Sequence, residues 1–61
     1  MPQVTVKAVE GRNVEQKRGL VKDITEAVVK NFKVEPESVT IEIIELSRDN
    51  IAKAGRLFVD R

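Results

Sequence analysis

The chain opens on a short run in which apolar and polar residues alternate. Every second residue from Val4 to Ala8 is apolar, and the residues between them are polar. A period of two is typical of a strand with one buried face, so the sequence predicts a β-strand over Gln3–Val9. Gly11 interrupts the pattern and predicts the end of that strand.

A longer apolar pattern with helical spacing follows. Apolar residues recur every three or four positions from Val14 to Phe32, which predicts an α-helix over that range. Asn13 precedes the helix and Gln16 stands three residues later, the spacing of a capping box. Lys17 falls within the apolar arc, and we expect its ammonium to extend to solvent. The predicted stripe comprises Leu20, Ile24, Ala27, Val28 and Asn31, widened by Val14, Val21 and Phe32.

The pattern becomes strand-like again after a proline. Pro36 lies in the connection from 33 to 38 and is incompatible with a continuing helix. Val39–Leu46 is rich in β-branched residues and predicts a second strand. Strand, helix and strand indicate an α/β fold, a single βαβ unit with parallel strands. Residues 47 to 61 predict a polar turn, a bend at Gly55 and a short C-terminal strand or hairpin.

The length of the chain sets a limit on its core. We interpret residues 1 to 61 as one domain, and a domain of this size buries only about 60% of its unfolded surface. The chain has no Cys and no His, so disulfides and ordinary zinc sites cannot stabilise it. One βαβ unit also leaves part of its sheet uncovered. We therefore expect a homo-oligomer whose subunits assemble into larger sheets.

The charge balance argues against two classes of partner. Eleven basic and ten acidic residues give a net charge of +1, and only two aromatic residues are present, so no nucleic-acid partner is expected. No apolar run approaches the roughly 20 residues that span a bilayer, and no signal peptide is evident. We expect a cytoplasmic protein with no membrane contact.

We interpret Glu42 and Glu45 as edge or interface charges.

Pro2 is the first candidate for chemistry. An initiator Met before a small residue is usually removed, which leaves Pro2 as a free secondary amine. The pKa of an α-amino group is about 7.7–8.0, and burial or a nearby cation lowers it further. In a chain without His or Cys, such an amine is the best candidate for a general base at neutral pH. The alternative is that Met1 is retained, which would leave Pro2 in an amide with no catalytic role.

Six segments along the chain together carry a family resemblance. They are Pro2, Glu10-Gly11-Arg12, Glu15-Gln16-Lys17-Arg18, Thr25-Glu26-Ala27-Val28, Ile44-Glu45-Leu46 and Ala52-Lys53-Ala54-Gly55. With these segments the sequence resembles the 4-oxalocrotonate tautomerase family over essentially its whole length. That resemblance implies a hexamer, built as a trimer of dimers of βαβ subunits, with an N-terminal catalytic proline and no cofactor.

Arg12 corresponds to a family arginine that binds a substrate carboxylate. Its guanidinium has the geometry to hold a carboxylate with two hydrogen bonds. A nearby cation would also lower the pKa of the Pro2 amine. The alternatives are a surface arginine in a polar turn, or an arginine paired with Glu10.

Two positions depart from the family pattern. Thr40 stands where the best-studied members have a second arginine, which binds the other carboxylate and polarises the carbonyl. Ile51 stands where they have an aromatic pocket residue. Both departures argue against a diacid substrate more than against the class of reaction. Lys7 and Arg48 are alternative sources of a replacement cation, although a solvent-exposed role suits both better.

Two functions follow from these residues. The first is an isomerase, a keto–enol tautomerase that moves a proton within an enol or dienol 2-oxo acid, with Pro2 as base. Arg12, Thr40 and Ile51 would form its substrate site. The second is a non-catalytic oligomer that keeps the fold for a binding or structural role. Thr40 and Ile51 favour it, and retention of Met1 would favour it further.

Overall fold

Two parallel strands and one helix form the frame of the molecule. The computed structural model describes residues 1 to 61. Strand β1 spans Gln3–Val9, helix α1 spans Val14–Phe32 and strand β2 spans Thr40–Leu46. The strands pair in parallel, from Gln3 beside Thr40 to Val9 beside Leu46. The predicted βαβ unit is confirmed.

Backbone and side-chain caps fix the bounds of α1. Asn13 accepts a hydrogen bond from the Gln16 N–H at 2.8 Å, and the Asn13 N–H donates to the Gln16 side chain at 3.0 Å. The predicted capping box is therefore present. At the other end, Lys33 adopts a left-handed conformation and its N–H donates to the Val29 carbonyl at 3.0 Å. A 3-10 turn over Pro36–Ser38 then delays β2, which begins one residue later than predicted.

The C-terminal segment forms the predicted hairpin. Strands β3 (Ala52–Lys53) and β4 (Arg56–Leu57) pair antiparallel, after a 3-10 turn over Arg48–Asn50. The two residues between the strands, Ala54 and Gly55, both have positive φ, at 54° and 78°. A two-residue hairpin loop of type I′ requires this conformation at both positions. The bend predicted at Gly55 is confirmed.

The apolar arc of α1 is wider than the sheet beneath it. The half-buried residues of the helix are Lys17, Val21, Ile24, Thr25, Val28 and Val29. The predicted stripe is therefore correct at three positions, whereas Leu20, Ala27, Asn31, Val14 and Phe32 are exposed. The reason is the width of the sheet, since two strands about 4.8 Å apart cannot cover an arc of this width. Phe32 remains 66% exposed and Val14 57%.

The isolated chain is open and extended. None of its 61 residues is fully buried, and its accessible surface is 4963 Å². A compact monomer of this mass would expose roughly 4,000 Å². The radius of gyration is 14.7 Å, against about 10–11 Å for a compact domain of this length. Its apolar surfaces need further cover, as expected of one subunit of an assembly. No helix is long and apolar enough to cross a bilayer.

Candidate active site

Pro2 and Thr40 lie together where the two strands begin. The parallel register extends one step beyond β1, because the Thr40 N–H donates to the Pro2 carbonyl at 3.0 Å. Pro2 is half-buried, and the shallow surface beside it is also lined by Met1, Phe32 and Val34. Thr40 is exposed. Two residues that are 38 positions apart in the chain thus become neighbours through strand pairing.

Arg12 lies beyond the opposite end of β1. Gly11 before it has a φ of 127°, a conformation that residues with a Cβ rarely adopt, and so fixes the turn that leads to Arg12. Arg12 Nη1 donates to the Val9 carbonyl at 3.1 Å. The guanidinium pairs with no carboxylate, so the predicted alternative of an Arg12–Glu10 pair is wrong. Most of its N–H groups remain available to a ligand.

Arg12 lines a concave site between α1 and the sheet. Its volume is about 70 Å³. Lys17 Nζ donates a hydrogen bond to Glu45 Oε1 at its edge, and the side chains of the pair are 30% and 34% exposed. We call this region the Arg12 concavity. Its lining residues are Val6, Ala8, Val9, Arg12, Gln16, Lys17, Leu20, Ile43 and Glu45.

The charges around Glu45 hold it in its ionised form. The hydrogen bond from Lys17 lowers the pKa of the Glu45 carboxyl below the ordinary value of 4.5, and the charge of Lys17 acts in the same direction. The backbone N–H of Gly11 and the charge of Arg12 lower this pKa further, whereas desolvation opposes them. Glu45 is therefore linked electrostatically to α1 and to the turn that presents Arg12.

Lys17 and Glu45 differ from their predicted placement. Lys17 does not simply extend to solvent, and Glu45 is not only an edge charge, because the two form an ion pair between α1 and β2. The signal was present in the sequence. Glu45 follows Ile41 and Ile43 at a spacing of two, which places it on the helix-facing side of β2. A lysine in the apolar arc of the helix and a glutamate on the apolar face of the strand predict such a pair.

The structure separates the predicted site residues within one chain. Pro2 and Thr40 lie where β1 and β2 begin, whereas Arg12 follows the end of β1. The seven residues of β1 extend about 20 Å at the usual rise per residue. Ile51 also follows β2, is half-buried, and accepts a hydrogen bond from the Phe58 N–H at 2.9 Å. No group of three or more acidic residues is close enough to hold a metal ion.

Comparison with known proteins identifies the family. The family model described as tautomerase enzyme matches residues 2–61. The chain belongs to the tautomerase family. A probable tautomerase of Bradyrhizobium diazoefficiens is 46% identical over 61 residues, which cover all of this chain and 91% of that protein. The 2-hydroxymuconate tautomerase of Bacillus subtilis is 45% identical over 60 residues, covering 98% of this chain and 97% of that tautomerase.

Solved tautomerase structures share the fold. YwhB, a homologue of 4-oxalocrotonate tautomerase, superposes with a TM-score of 0.92 at 43% identity, covering 98% of each chain. A heterohexameric 4-oxalocrotonate tautomerase from Chloroflexus aurantiacus superposes with a TM-score of 0.90 at 25% identity, covering 98% of this chain and 97% of that one. The resemblance to the 4-oxalocrotonate tautomerase family and the predicted α/β fold are both confirmed.

Proposed function

We propose that this tautomerase-family enzyme moves a proton within enol or dienol 2-oxo carboxylic acids, with the amine of Pro2 as general base. The family match over residues 2–61 carries the proposal, because it begins at Pro2 and includes every residue assigned a role. The 45% identity to a 2-hydroxymuconate tautomerase supports this class of substrate.

The surroundings of Pro2 suit a neutral amine. Phe32 and Val34 line the surface beside it, and Pro2 is half-buried. Apolar surroundings disfavour the ammonium form, so that removal of Met1 would leave a basic secondary amine at neutral pH. The amine would accept the proton of the substrate's 2-hydroxyl group. The same proton would return to a distant carbon of the conjugated chain, giving an α,β-unsaturated 2-oxo acid with no net change in atoms.

Arg12 would hold the substrate carboxylate. Its guanidinium makes one hydrogen bond, to the Val9 carbonyl, and pairs with no acidic side chain. A carboxylate bound by two parallel N–H donors would be fixed in orientation as well as attracted. Thr40 and Ile51 would complete the substrate site through a hydroxyl and an apolar side chain.

The proposed site requires more than one copy of the chain. Pro2 and Arg12 lie beyond opposite ends of β1, and its length of about 20 Å exceeds the reach of a small acid. A hexamer built as a trimer of dimers would bring Pro2 of one subunit close to Arg12 of another. The open shape of the isolated chain supports such an assembly, as does the heterohexameric relative.

The decisive test compares protein with and without Met1. Intact mass identifies the two forms, and each is assayed with 2-hydroxymuconate and related enol acids. We expect turnover only from the Met1-free form, with one basic group titrating near or below neutrality in its pH profile. Pro2→Ala leaves a primary amine and should reduce this activity without necessarily removing it. Equal turnover by the Met1-retained form, with its mass confirmed, would rule out Pro2 as the base.

Arg12→Ala tests the carboxylate role separately. A carboxylate is present in both the ground state and the transition state, so the substitution should mainly raise KM, by roughly 10- to 100-fold, with little change in kcat. Unchanged kinetics in an assembled Arg12→Ala protein would contradict the assignment. A Met1-free protein that assembles but shows no activity on any enol acid would favour the non-catalytic alternative.

A further inference from the structure

Ile51 lies between two turns of the C-terminal segment. The 3-10 turn over Arg48–Asn50 precedes it, and strand β3 begins directly after it. The Asn50 N–H donates to the Ser47 carbonyl at 2.9 Å and closes the first turn. Ile51 itself is extended, with a φ of −136° and a ψ of 137°. The direction of its backbone therefore depends on the turn before it and on the hairpin after it.

The base of the C-terminal hairpin closes on Ile51. The Phe58 N–H donates to the Ile51 carbonyl at 2.9 Å, one step beyond the pairing of Ala52 with Leu57. Isoleucine is β-branched and has few χ1 rotamers, so a fixed backbone at Ile51 also fixes the direction of its side chain. This hydrogen bond joins two residues of one chain and needs no second copy. The hairpin thus orients the apolar side chain of Ile51.

The turn of the hairpin has a large influence on its stability. Each strand has two residues, and a hairpin this small has little stability of its own. Its turn residues, Ala54 and Gly55, have φ values of 54° and 78°. A Cβ in this left-handed region lowers the equilibrium constant for the conformation about 5- to 30-fold. Ala54 already has this cost, so closure of the hairpin depends on its absence at Gly55.

We propose that Gly55 is a positioning residue that keeps the hairpin closed on Ile51, so that Ile51 presents a fixed apolar surface to the substrate. This inference rests on the proposed function, because it takes Ile51 as part of the substrate site. Gly55 acts through the Phe58–Ile51 hydrogen bond and does not itself contact the substrate. Chains with an open hairpin must close it when substrate binds, which weakens the apparent affinity.

Gly55→Ala tests this role without a steric clash. A Cβ added at Gly55 would meet no atom within 4 Å, so the substitution acts through the backbone conformation of the turn. In Met1-free, assembled protein it should raise KM for 2-hydroxymuconate about 2- to 10-fold. The value of kcat should change little, because an apolar contact is made in the ground state and the transition state alike.

Gly19→Ala is the matched control. Gly19 is exposed in α1, has no positive φ, and a Cβ added there also meets no atom within 4 Å. This variant therefore makes the same chemical change without the conformational cost. Its KM and kcat should equal those of wild type.

Amide hydrogen exchange at Phe58 measures the closing hydrogen bond directly. In Gly55→Ala the protection of this amide should fall about 5- to 30-fold, whereas Gly19→Ala should leave it unchanged. Lower protection with an unchanged KM would overturn the inference, because the hairpin would then open without any effect on the substrate. Unchanged protection would also overturn it, because Gly55 would not control the closing bond.

Ile51→Ala tests whether the effect passes through Ile51. This variant should raise KM by itself, and adding Gly55→Ala to it should raise KM little further, because the side chain that the hairpin orients is gone. If the two effects on KM multiply as they do for independent sites, Gly55 acts elsewhere and the inference is wrong. It is equally wrong if Ile51→Ala leaves KM unchanged.

Ala54→Asn strengthens the turn from its other position. Asn adopts a positive φ more readily than Ala, and Asn-Gly is the preferred sequence of a type I′ turn. Added to Gly55→Ala, it should restore part of the lost protection at Phe58 and part of the lost affinity. If Gly55→Ala does not assemble, this double variant is compared with Ala54→Asn alone. A lower protection at Phe58 with the same KM in that comparison would contradict the role of Gly55.

The proposed function and this inference fail in different ways. A Met1-free wild type with no Pro2-dependent activity on enol acids would overturn the proposed function and the inference with it. Activity that requires Pro2 and Arg12, together with a KM unaffected by Gly55→Ala, would overturn the inference alone.

Discussion

Where β1 and β2 begin, Pro2 lies beside Thr40 among mainly apolar neighbours; where they end, Arg12, Lys17 and Glu45 form a group of charges. Under the proposed function, the apolar side chains of Phe32 and Val34 at the first end favour a neutral Pro2 amine. The second end would bind the substrate carboxylate, because the Arg12 guanidinium pairs with no acidic side chain of the chain. Under the proposed function, the base lies at one end and the carboxylate ligand at the other, and the parallel pairing keeps the two about 20 Å apart within one chain.

If Pro2 and Arg12 meet only between different copies of the chain, the protein should be active only when it is assembled. We expect sedimentation velocity at micromolar concentration to show a hexamer of about 41 kDa, six times 6.9 kDa. Dilution that dissociates it should abolish specific activity in parallel with the loss of that species. A well-folded, active monomer would contradict both the assembly and the separation of the site between chains.

Oligomers that contain two different defective variants should be more active than oligomers of either variant alone. Met1-retained chains lack the base, and Arg12→Ala chains lack the carboxylate ligand. After the two are dissociated together and reassembled in equal amounts, about a quarter of the sites should combine an intact Pro2 with an intact Arg12 from different copies. The assay uses substrate well below KM, with each parent treated alone as a control. No gain over the parents would mean that both residues act from one chain.

Thr40→Arg should add a positive charge where β1 and β2 begin, so that both ends of the paired strands carry a guanidinium. A guanidinium at this position adds a charge where enolate character develops, so kcat on 2-hydroxymuconate should rise 10- to 100-fold, about 1.4–2.7 kcal/mol of transition-state stabilisation. Thr40→Gln, long and polar but neutral, is the control. A Thr40→Arg hexamer with no gain would mean that Thr40 does not face the reacting atoms.

The smallest expected effect is on acid stability. The pKa of Glu45 is lower in the folded chain than its ordinary value of 4.5, chiefly because Lys17 donates a hydrogen bond to it. The ion pair therefore stabilises the fold above about pH 4.5, and this contribution is lost as the pH falls through the lower folded-state pKa. Thermal unfolding at pH 6 and pH 3, at one protein concentration, measures the loss.

Two substitutions should each weaken that acid dependence. Glu45→Gln removes the titrating group, and Lys17→Met removes the donor that lowers its pKa. In both variants the unfolding temperature should fall less between pH 6 and pH 3 than it does in wild type. If the unfolding temperature falls as much in both variants as in wild type, other groups control acid unfolding.

Local sequence patterns were sufficient for most of the fold. The period-two run predicted β1 with its observed bounds, and Asn13 with Gln16 located the start of α1. These features depend on residues close together in the chain, so the sequence contains the information directly. The predicted helix stripe was less accurate, because which apolar residues are covered depends on the width of the sheet below them.

The sequence by itself determined the βαβ order, the helix bounds, the C-terminal hairpin and the position of Pro2 before the first strand. Only the tertiary structure decided which distant residues meet. Lys17 and Glu45 are 28 positions apart, and the register of two parallel strands places Thr40 beside Pro2 while keeping Arg12 at the far end. Periodicity gives the face on which a residue lies, whereas its partner depends on how faces pack and how strands align.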